Sequence, residues 1–285
     1  MEIRSVSNAL DRHGDSWRRW VLENIERGCT TQDILKSMLA AGVWQEEEAL
    51  SALNEGLGLL GRALVNLAVL PRIPGDRLFS VGAQVIEVLS RFKSPHVAVL
   101  GGVLSINECD ALLDLALHKG LRLSSVVDKE SGQSVSHHER TSTGVFFTRS
   151  ETPLIQRIEE RLAEMTCWPS THGEGLQVLR YEIGQQYKPH HDWFDTAHPG
   201  TVHHLARGGQ RVATTVMVLR AADRGGATTF PAAGFEVSPP PGGAVFFRNL
   251  TAAFLPDPLT LHAGAPVEQG EKVVMTYWQR EREFA

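Results

Sequence analysis

From about residue 144 to residue 279 the chain alternates short apolar runs with clusters of glycine and proline. The runs are Gly144–Thr148, Leu176–Ile183, Val212–Leu219, Ala244–Arg248, Ala263–Val267 and Lys272–Gln279. Between them lie Gly208-Gly209, Gly225-Gly226 and Pro239-Pro240-Pro241-Gly242-Gly243. Runs this short cannot bury themselves as helices, and the punctuation forces repeated reversals. The pattern therefore predicts short strands folded as a sandwich, barrel or jelly roll.

Residues 1 to about 90 read differently. Trp17, Trp20, Val21 and Ile25 recur at helical spacing, with Asn24 as the polar exception, and predict a helix near Asp15–Arg27 that Gly28 ends. Thr30 followed by Asp33 resembles a capping box and opens a second helix that Gly42 closes. A third helix is expected over Gln45–Leu60, and a fourth apolar stretch over Arg62–Leu70 stops at Pro71. The tryptophans are read as core rather than as a binding surface, because large rings supply so much burial. Phe79–Leu89 is expected to add one more helix. Ser105 caps another over Asn107–Lys119, and one more, Pro153–Met165, interrupts the strands. The expectation is an α+β chain, with a small all-helical N-terminal domain at 1–90 and a strand-rich domain at 91–285.

Bulk properties narrow the function. Net charge is −5 and no basic strip stands out, so no nucleic-acid partner is expected. No run of eighteen apolar residues predicts a membrane span. Met1–Ala9 carries Glu2 and Arg4 instead of an apolar core, so no secretory signal is expected and the cytoplasm is the expected compartment. Cys29, Cys109 and Cys167 are widely spaced and odd in number; each is read as a small buried apolar residue.

The chemistry-bearing residues gather around His190-His191-Asp192. In an extended segment, residues two apart share a side, so His190 and Asp192 can meet at one point while His191 turns away. By itself that triplet is weak. Support comes from His262, seventy residues on, entering an apolar run. Two histidines and one carboxylate with open positions are the facial set of non-haem iron(II) oxygenases. Lys272 follows at the start of a strand that looks buried, and a buried ammonium needs an anion. The far carboxylate of a 2-oxo acid would supply it, and Thr214 and Tyr181 could add hydroxyl hydrogen bonds. Arg140 is a candidate fork for a substrate carboxylate, set against an equal reading as a backbone-binding arginine.

These residues resemble the prolyl 4-hydroxylase group of 2-oxoglutarate dioxygenases. Arg140-Thr141-Ser142 is similar to that group's RTS stretch, and Tyr181 through Asp192 to its YxxGQxYxxHxD segment. Gly209 through Thr214 resembles the stretch ahead of a core strand. Gly225 through Pro231 is similar to GGETxFP, with Ala227 in place of the usual Glu. Leu261 through Lys272 resembles LHxGxPVxxGxK. The blocks occur in the family's order over about residues 97–280, which leaves the helical N-terminus outside the likeness.

The resemblance implies a double-stranded β-helix (jelly roll). It implies iron(II) on His190, Asp192 and His262, 2-oxoglutarate with its far carboxylate at Lys272, Tyr181 and Thr214, and Arg140 at the substrate mouth. It also implies dioxygen as oxidant, ascorbate as a reductant, conversion of 2-oxoglutarate to succinate and CO2, and hydroxylation of an amino acid, either a prolyl residue in a peptide or a free proline-like or other amino acid. A non-catalytic metal- or ligand-binding regulatory protein on the same fold is the competing reading. The role of residues 1–90 stays open, a homodimer contact among the options.

Overall fold

The computed structural model describes residues 9–62, 70–123, 125–127, 134–136, 141–251 and 254–285. The chain divides into two compact units, Met1–Val69 with Thr251–Leu255, and Leu70–Leu250 with Pro256–Ala285.

In the first unit the helices are Asp15–Glu26 (α1), Thr31–Ala40 (α2) and Glu46–Leu59 (α3). Their apolar faces bury Val21, Ile25, Leu35, Met38 and Leu53 in one cluster that Trp44, between α2 and α3, joins, with Trp17 and Trp20 packed against it. The tryptophans thus contribute to the core, as their burial value suggests. Gly28 and Gly42 follow α1 and α2 with φ of 78° and 73°, the left-handed conformation that stops a helix. Asn24, the polar residue of α1, donates from Nδ2 to the Trp20 carbonyl at 2.8 Å. Thr30 caps α2 by accepting from the Asp33 amide, while the short Asp33 side chain meets the Thr30 hydroxyl. The apolar stretch after Arg62 falls on residues 63–69, outside the described residues.

The second unit holds the strands. Leu78–Val81 (β1) and Gln84–Phe92 (β2) are followed by Val97–Gly101 (β3). Ile106–Lys119 (α4) leads to Arg122–Leu123 (β4), Ser125–Val127 (β5), Ser134–Ser136 (β6) and Thr143–Phe147 (β7). Pro153–Thr166 (α5) precedes Gly173–Tyr181 (β8) and Tyr187–His190 (β9). After Val202–Ala206 (α6) come Arg211–Arg220 (β10), Arg224–Gly225 (β11), Thr228–Phe230 (β12), Phe235–Val237 (β13) and Ala244–Arg248 (β14). His262–Gly264 (β15), Val267–Gln269 (β16) and Lys272–Arg280 (β17) complete the set. A nine-stranded sheet runs β1-β2-β3-β14-β10-β17-β8-β7-β4, and a four-stranded sheet runs β13-β12-β15-β9. Among the described residues every strand pairing in both is antiparallel.

Phe79–Leu89 is not a helix. It forms the β1–β2 hairpin, in which Val81 pairs with Gln84 across Gly82, whose φ is 56°. Its apolar residues serve two-residue periodicity: Ile86 and Val88 are buried while Val85 and Leu89 are exposed. Both strands belong to the larger unit, which begins at Leu70. The cysteines differ from expectation too. Only Cys109 is buried; Cys29 and Cys167 are exposed. Cys167 ends α5 at φ 52°, a turn position rather than a core one.

The large sheet is buried on both faces, and residue parity decides which. On its outer face Val273, Met275 and Tyr277 of β17, Leu176 and Val178 of β8, and Ala213 and Met217 of β10 pack against Leu112 of α4 and Ile158 and Leu162 of α5. Trimming Leu162 to Ala would cost about 2–5 kcal/mol, the range for emptying a tightly packed core position. Glu108 locks the two helices together: it completes the Ser105 capping box and accepts both Arg161 Nη atoms, at 2.8 and 2.7 Å. On the inner face Val245 and Phe247 of β14 meet Phe230 of β12, and Leu179, Tyr181, Val218 and Val274 meet Val267 and Tyr187. The site lies among these inner-face residues.

Candidate metal centre and co-substrate slot

β9 and β15 are neighbours in the small sheet, and their register sets His190 directly opposite His262. Asp192 follows β9 by two residues. The three donor groups come within 4.8 Å of one another. His190 Nε2 is 3.6 Å from Asp192 Oδ1, and His262 Nε2 is 3.7 Å from Asp192 Oδ2. Seventy residues of sequence separation are thus closed by one strand pairing.

Each imidazole is oriented by the backbone behind it. His190 Nδ1 lies 2.9 Å from the Lys188 carbonyl, and His262 Nδ1 lies 3.0 Å from the Thr260 carbonyl. A carbonyl can only accept, so Nδ1 carries the proton and Nε2 is left with its lone pair aimed at the partner ligands. Tyr187 stacks on His190 at 3.6 Å between centroids, and Phe247 lies 4.7 Å from His262. Burial pushes the Asp192 carboxyl up; the electrostatic pull of His262, His190 and Arg211 and the Thr214 hydrogen bond outweigh it and bring it down to about 2. Asp192 is therefore a carboxylate at neutral pH, and with the two imidazole Nε2 atoms it makes the donor set that suits a divalent iron.

From this trio an open cavity extends along the inner face. Alternate residues of β17 floor it: Lys272, Val274, Thr276 and Trp278. Tyr181, Tyr187 and Thr228 contribute to the walls. Lys272 is only 8% exposed, and among the described residues no carboxylate pairs with it. Burial alone pulls its pKa down to about 8. Its ammonium is 6.0 Å from the Tyr181 ring centre, the residue opposite it in the β8–β17 register. A slot with the three donors at one end and, at the other, a buried ammonium with no carboxylate partner among the described residues is shaped for a small acid that chelates a metal and ends in a carboxylate.

Thr214 is not at the Lys272 end. In the β10–β17 register it lies opposite Trp278, six residues along β17 from Lys272, or roughly 20 Å at about 3.3 Å per residue. Its hydroxyl instead donates to Asp192 Oδ2 at 2.7 Å and accepts from Asn249 Nδ2 at 3.0 Å. The sequence showed a hydroxyl on a core strand but not how far along the strand it would fall. Thr228, in the segment similar to GGETxFP, lines the same cavity as Lys272, as does Tyr181 opposite the lysine in the register. Thr228 is on β12 of the small sheet and Lys272 on β17 of the large one, so spacing along the chain gave no sign that they line one cavity.

Four further residues were missed: Glu174, Gln210, Arg211 and Arg280. Arg211 forks onto Glu174 at 2.6 and 2.8 Å, and Arg280 adds a third contact at 2.8 Å. Burial pushes the Glu174 carboxyl up, and the two guanidiniums more than reverse it. The Arg211 guanidinium lies 4.2 Å from the Trp278 ring and 4.9 Å from Phe194, propping a wall of the slot. Gln210 clasps the loop after Asp192: its side chain accepts from the Phe194 amide at 2.7 Å and donates to the Phe194 carbonyl at 2.8 Å. His191 turns to the Pro258 carbonyl at 3.3 Å, outside the trio. Arg140 lies outside the described residues, as do His137 and His138. The adjacent Thr141 is tied to Gln186 by hydrogen bonds in both directions, four residues before His190.

Residues 176–280 match the family model of the 2OG-Fe(II) oxygenase superfamily. Prolyl 4-hydroxylase 1 of Arabidopsis thaliana is 39% identical over 243 residues, covering 79% of this chain and 83% of its own. Probable prolyl 4-hydroxylase 10 of the same plant is 37% identical over 218 residues, covering 70% of this chain and 73% of its own. Among solved structures, a viral collagen prolyl hydroxylase from Paramecium Bursaria Chlorella virus-1 in complex with 2OG is similar at 30% identity and a TM-score of 0.50, over 64% of this chain and 94% of that one.

Proposed function

Since the chain belongs to the prolyl 4-hydroxylase-like 2-oxoglutarate/Fe(II) oxygenases, and is thus a dioxygenase, we propose that it hydroxylates prolyl residues in a peptide, with iron on His190, Asp192 and His262 and the far carboxylate of 2-oxoglutarate on Lys272. The observation that carries this reading is the slot itself, with the donor trio at one end and, at the other, the buried Lys272 with no carboxylate partner among the described residues. Bound iron supplies the activation of dioxygen that turns 2-oxoglutarate into succinate and CO2 and places one oxygen atom on a substrate carbon.

The chain's own residues do the rest. The Lys188 and Thr260 carbonyls hold the imidazoles in the Nδ1-protonated form. Lys272 and Thr228 take the far carboxylate, and the apolar Leu179, Val216 and Val274 keep water from the middle of the slot. Tyr187 and Trp278 offer ring faces beside the trio, suited to a pyrrolidine ring. Apart from the trio and Lys272, the described residues lining the cavity carry no charge, which supports a prolyl residue inside a peptide over a free amino acid with two charged groups to satisfy.

Anaerobic addition of iron(II) and then 2-oxoglutarate to metal-free protein should develop the weak visible band of the chelate, and His262→Ala should abolish it. Succinate release in air should then rise with proline-containing peptides. A rise with free proline or another free amino acid instead would reassign the substrate, and no band from folded protein would remove the metal assignment.

A further inference from the structure

Both oxygens of Asp192 lie near the imidazoles, Oδ1 at 3.6 Å from His190 Nε2 and Oδ2 at 3.7 Å from His262 Nε2. Distance alone therefore does not choose between ligation through one carboxylate oxygen and ligation through two. The choice matters, because a second oxygen on the metal would take a place that the co-substrate or dioxygen needs. Something behind the carboxylate has to decide it.

We propose that Thr214 and Asn249 are positioning residues that hold Asp192 to ligation through Oδ1 alone; this rests on the reading of His190, Asp192 and His262 as the iron ligands. Thr214 Oγ1 donates to Oδ2 at 2.7 Å, within the short range of a hydroxyl bonded to a carboxylate. That bond occupies Oδ2 and lowers its basicity toward a metal, leaving Oδ1 as the free donor. A threonine hydroxyl has one proton, and it could be spent elsewhere. Asn249 prevents this, because its Nδ2 donates to Thr214 Oγ1 at 3.0 Å and so takes the role of donor there. The Thr214 proton is then directed to Asp192. The relay is fully buried: Thr214 and Asn249 are both 0% exposed, so water does not compete for either bond. The asparagine is held by its own backbone, its amide donating to Val212 O at 2.9 Å and its carbonyl accepting from the Asp257 amide at 3.0 Å. The relay thus draws on two strands, β10 and the end of β14, that contribute no metal ligand.

The test compares wild type with Thr214→Val, Thr214→Ser and Asn249→Ala under argon. Iron(II) affinity is read by competition with a chromophoric chelator, and 2-oxoglutarate affinity from the visible band at saturating iron(II). In Thr214→Val the 2-oxoglutarate dissociation constant should rise on the order of tenfold, the scale set by one charge-assisted hydrogen bond. Iron(II) affinity should fall less than that, because a second carboxylate oxygen compensates. Thr214→Ser should restore the wild-type constant, and Asn249→Ala should lie between. Glutarate, which can reach Lys272 but has no oxo group to chelate with, should raise the melting temperature of metal-free wild type and Thr214→Val equally; general damage to the slot would weaken it in the variant. Wild-type 2-oxoglutarate affinity in iron-loaded Thr214→Val overturns the proposal. If Thr214→Val does not fold, unchanged affinity in Asn249→Ala overturns it. A wild type without any band would instead overturn the iron/2-oxoglutarate reading, and the relay with it.

Discussion

The two ends of the slot are built on opposite principles. At the metal end every ligand has a second contact: a carbonyl behind each imidazole and a hydroxyl behind the carboxylate. At the other end a buried ammonium is left with no counter-charge among the described residues. The first end is arranged before any ligand arrives, so that binding costs little reorganisation. The second is held at a disadvantage that only an anion of the right length relieves. A single small molecule that chelates at one end and is charged at the other satisfies both.

Removing a ligand at the arranged end should have the largest effect. Asp192→Ala should lower iron(II) affinity and hydroxylation by well over the roughly 10–100-fold that losing a mere supporting contact costs; hydroxylation at the wild-type rate would remove Asp192 from the ligand set. At the other end, Lys272→Met should separate stability from binding. A pKa depressed from 10.5 to about 8 means that the charged form costs the folded protein roughly 3 kcal/mol. The ligand-free variant should melt higher than wild type at neutral pH. Its 2-oxoglutarate affinity should fall by about 100-fold or more, as when one partner of a buried ion pair is removed. A lower melting temperature with intact affinity would mean that Lys272 is a packing residue.

The same ammonium gives the slot a pH dependence. Because its pKa in the folded protein is about 8, the site loses its positive charge as pH rises through that value. Affinity for 2-oxoglutarate should be level below pH 8 and fall about tenfold per unit above it. The ligand-free fold should behave in the opposite sense. Between about 8 and 10.5 the unfolded chain binds the extra proton, so this group's contribution to stability grows as pH rises through that window and is lost as pH falls back through it. Isothermal titration at pH 7, 8 and 9 and melts over the same range read the two trends. The smallest effect is expected at Thr228→Val, where one hydroxyl contact to the far carboxylate is removed; a loss of about tenfold or less in 2-oxoglutarate affinity, with iron(II) affinity unchanged, would place it at the Lys272 end.

Legibility followed the range of the forces involved. The first three helices and their glycine stops were readable because caps and apolar spacing act over four residues. Ala244–Arg248 was readable because Gly243 starts and Arg248-Asn249 ends the apolar run Ala244–Phe247. The β1–β2 hairpin was not, since Val85, Ile86, Val88 and Leu89 suit either period, and only the positive φ of Gly82 separates a turn from a continuing helix.

By itself the sequence determined the strand-rich class, the HxD pair on one side of an extended segment, and a lysine entering a buried strand. These depend on residue type and on a period of two, which backbone geometry enforces wherever the segment lies. Tertiary structure alone decided the rest. His262 reaches the pair because β15 lies beside β9, Thr228 lines one cavity with the lysine because the two sheets face each other, and Thr214 falls behind Asp192 because the β10–β17 register puts it at Trp278 and not at Lys272. A register shift of two residues keeps every side chain on its face yet moves it about 7 Å, so pattern fixes the side of the sheet and only packing fixes the place along it.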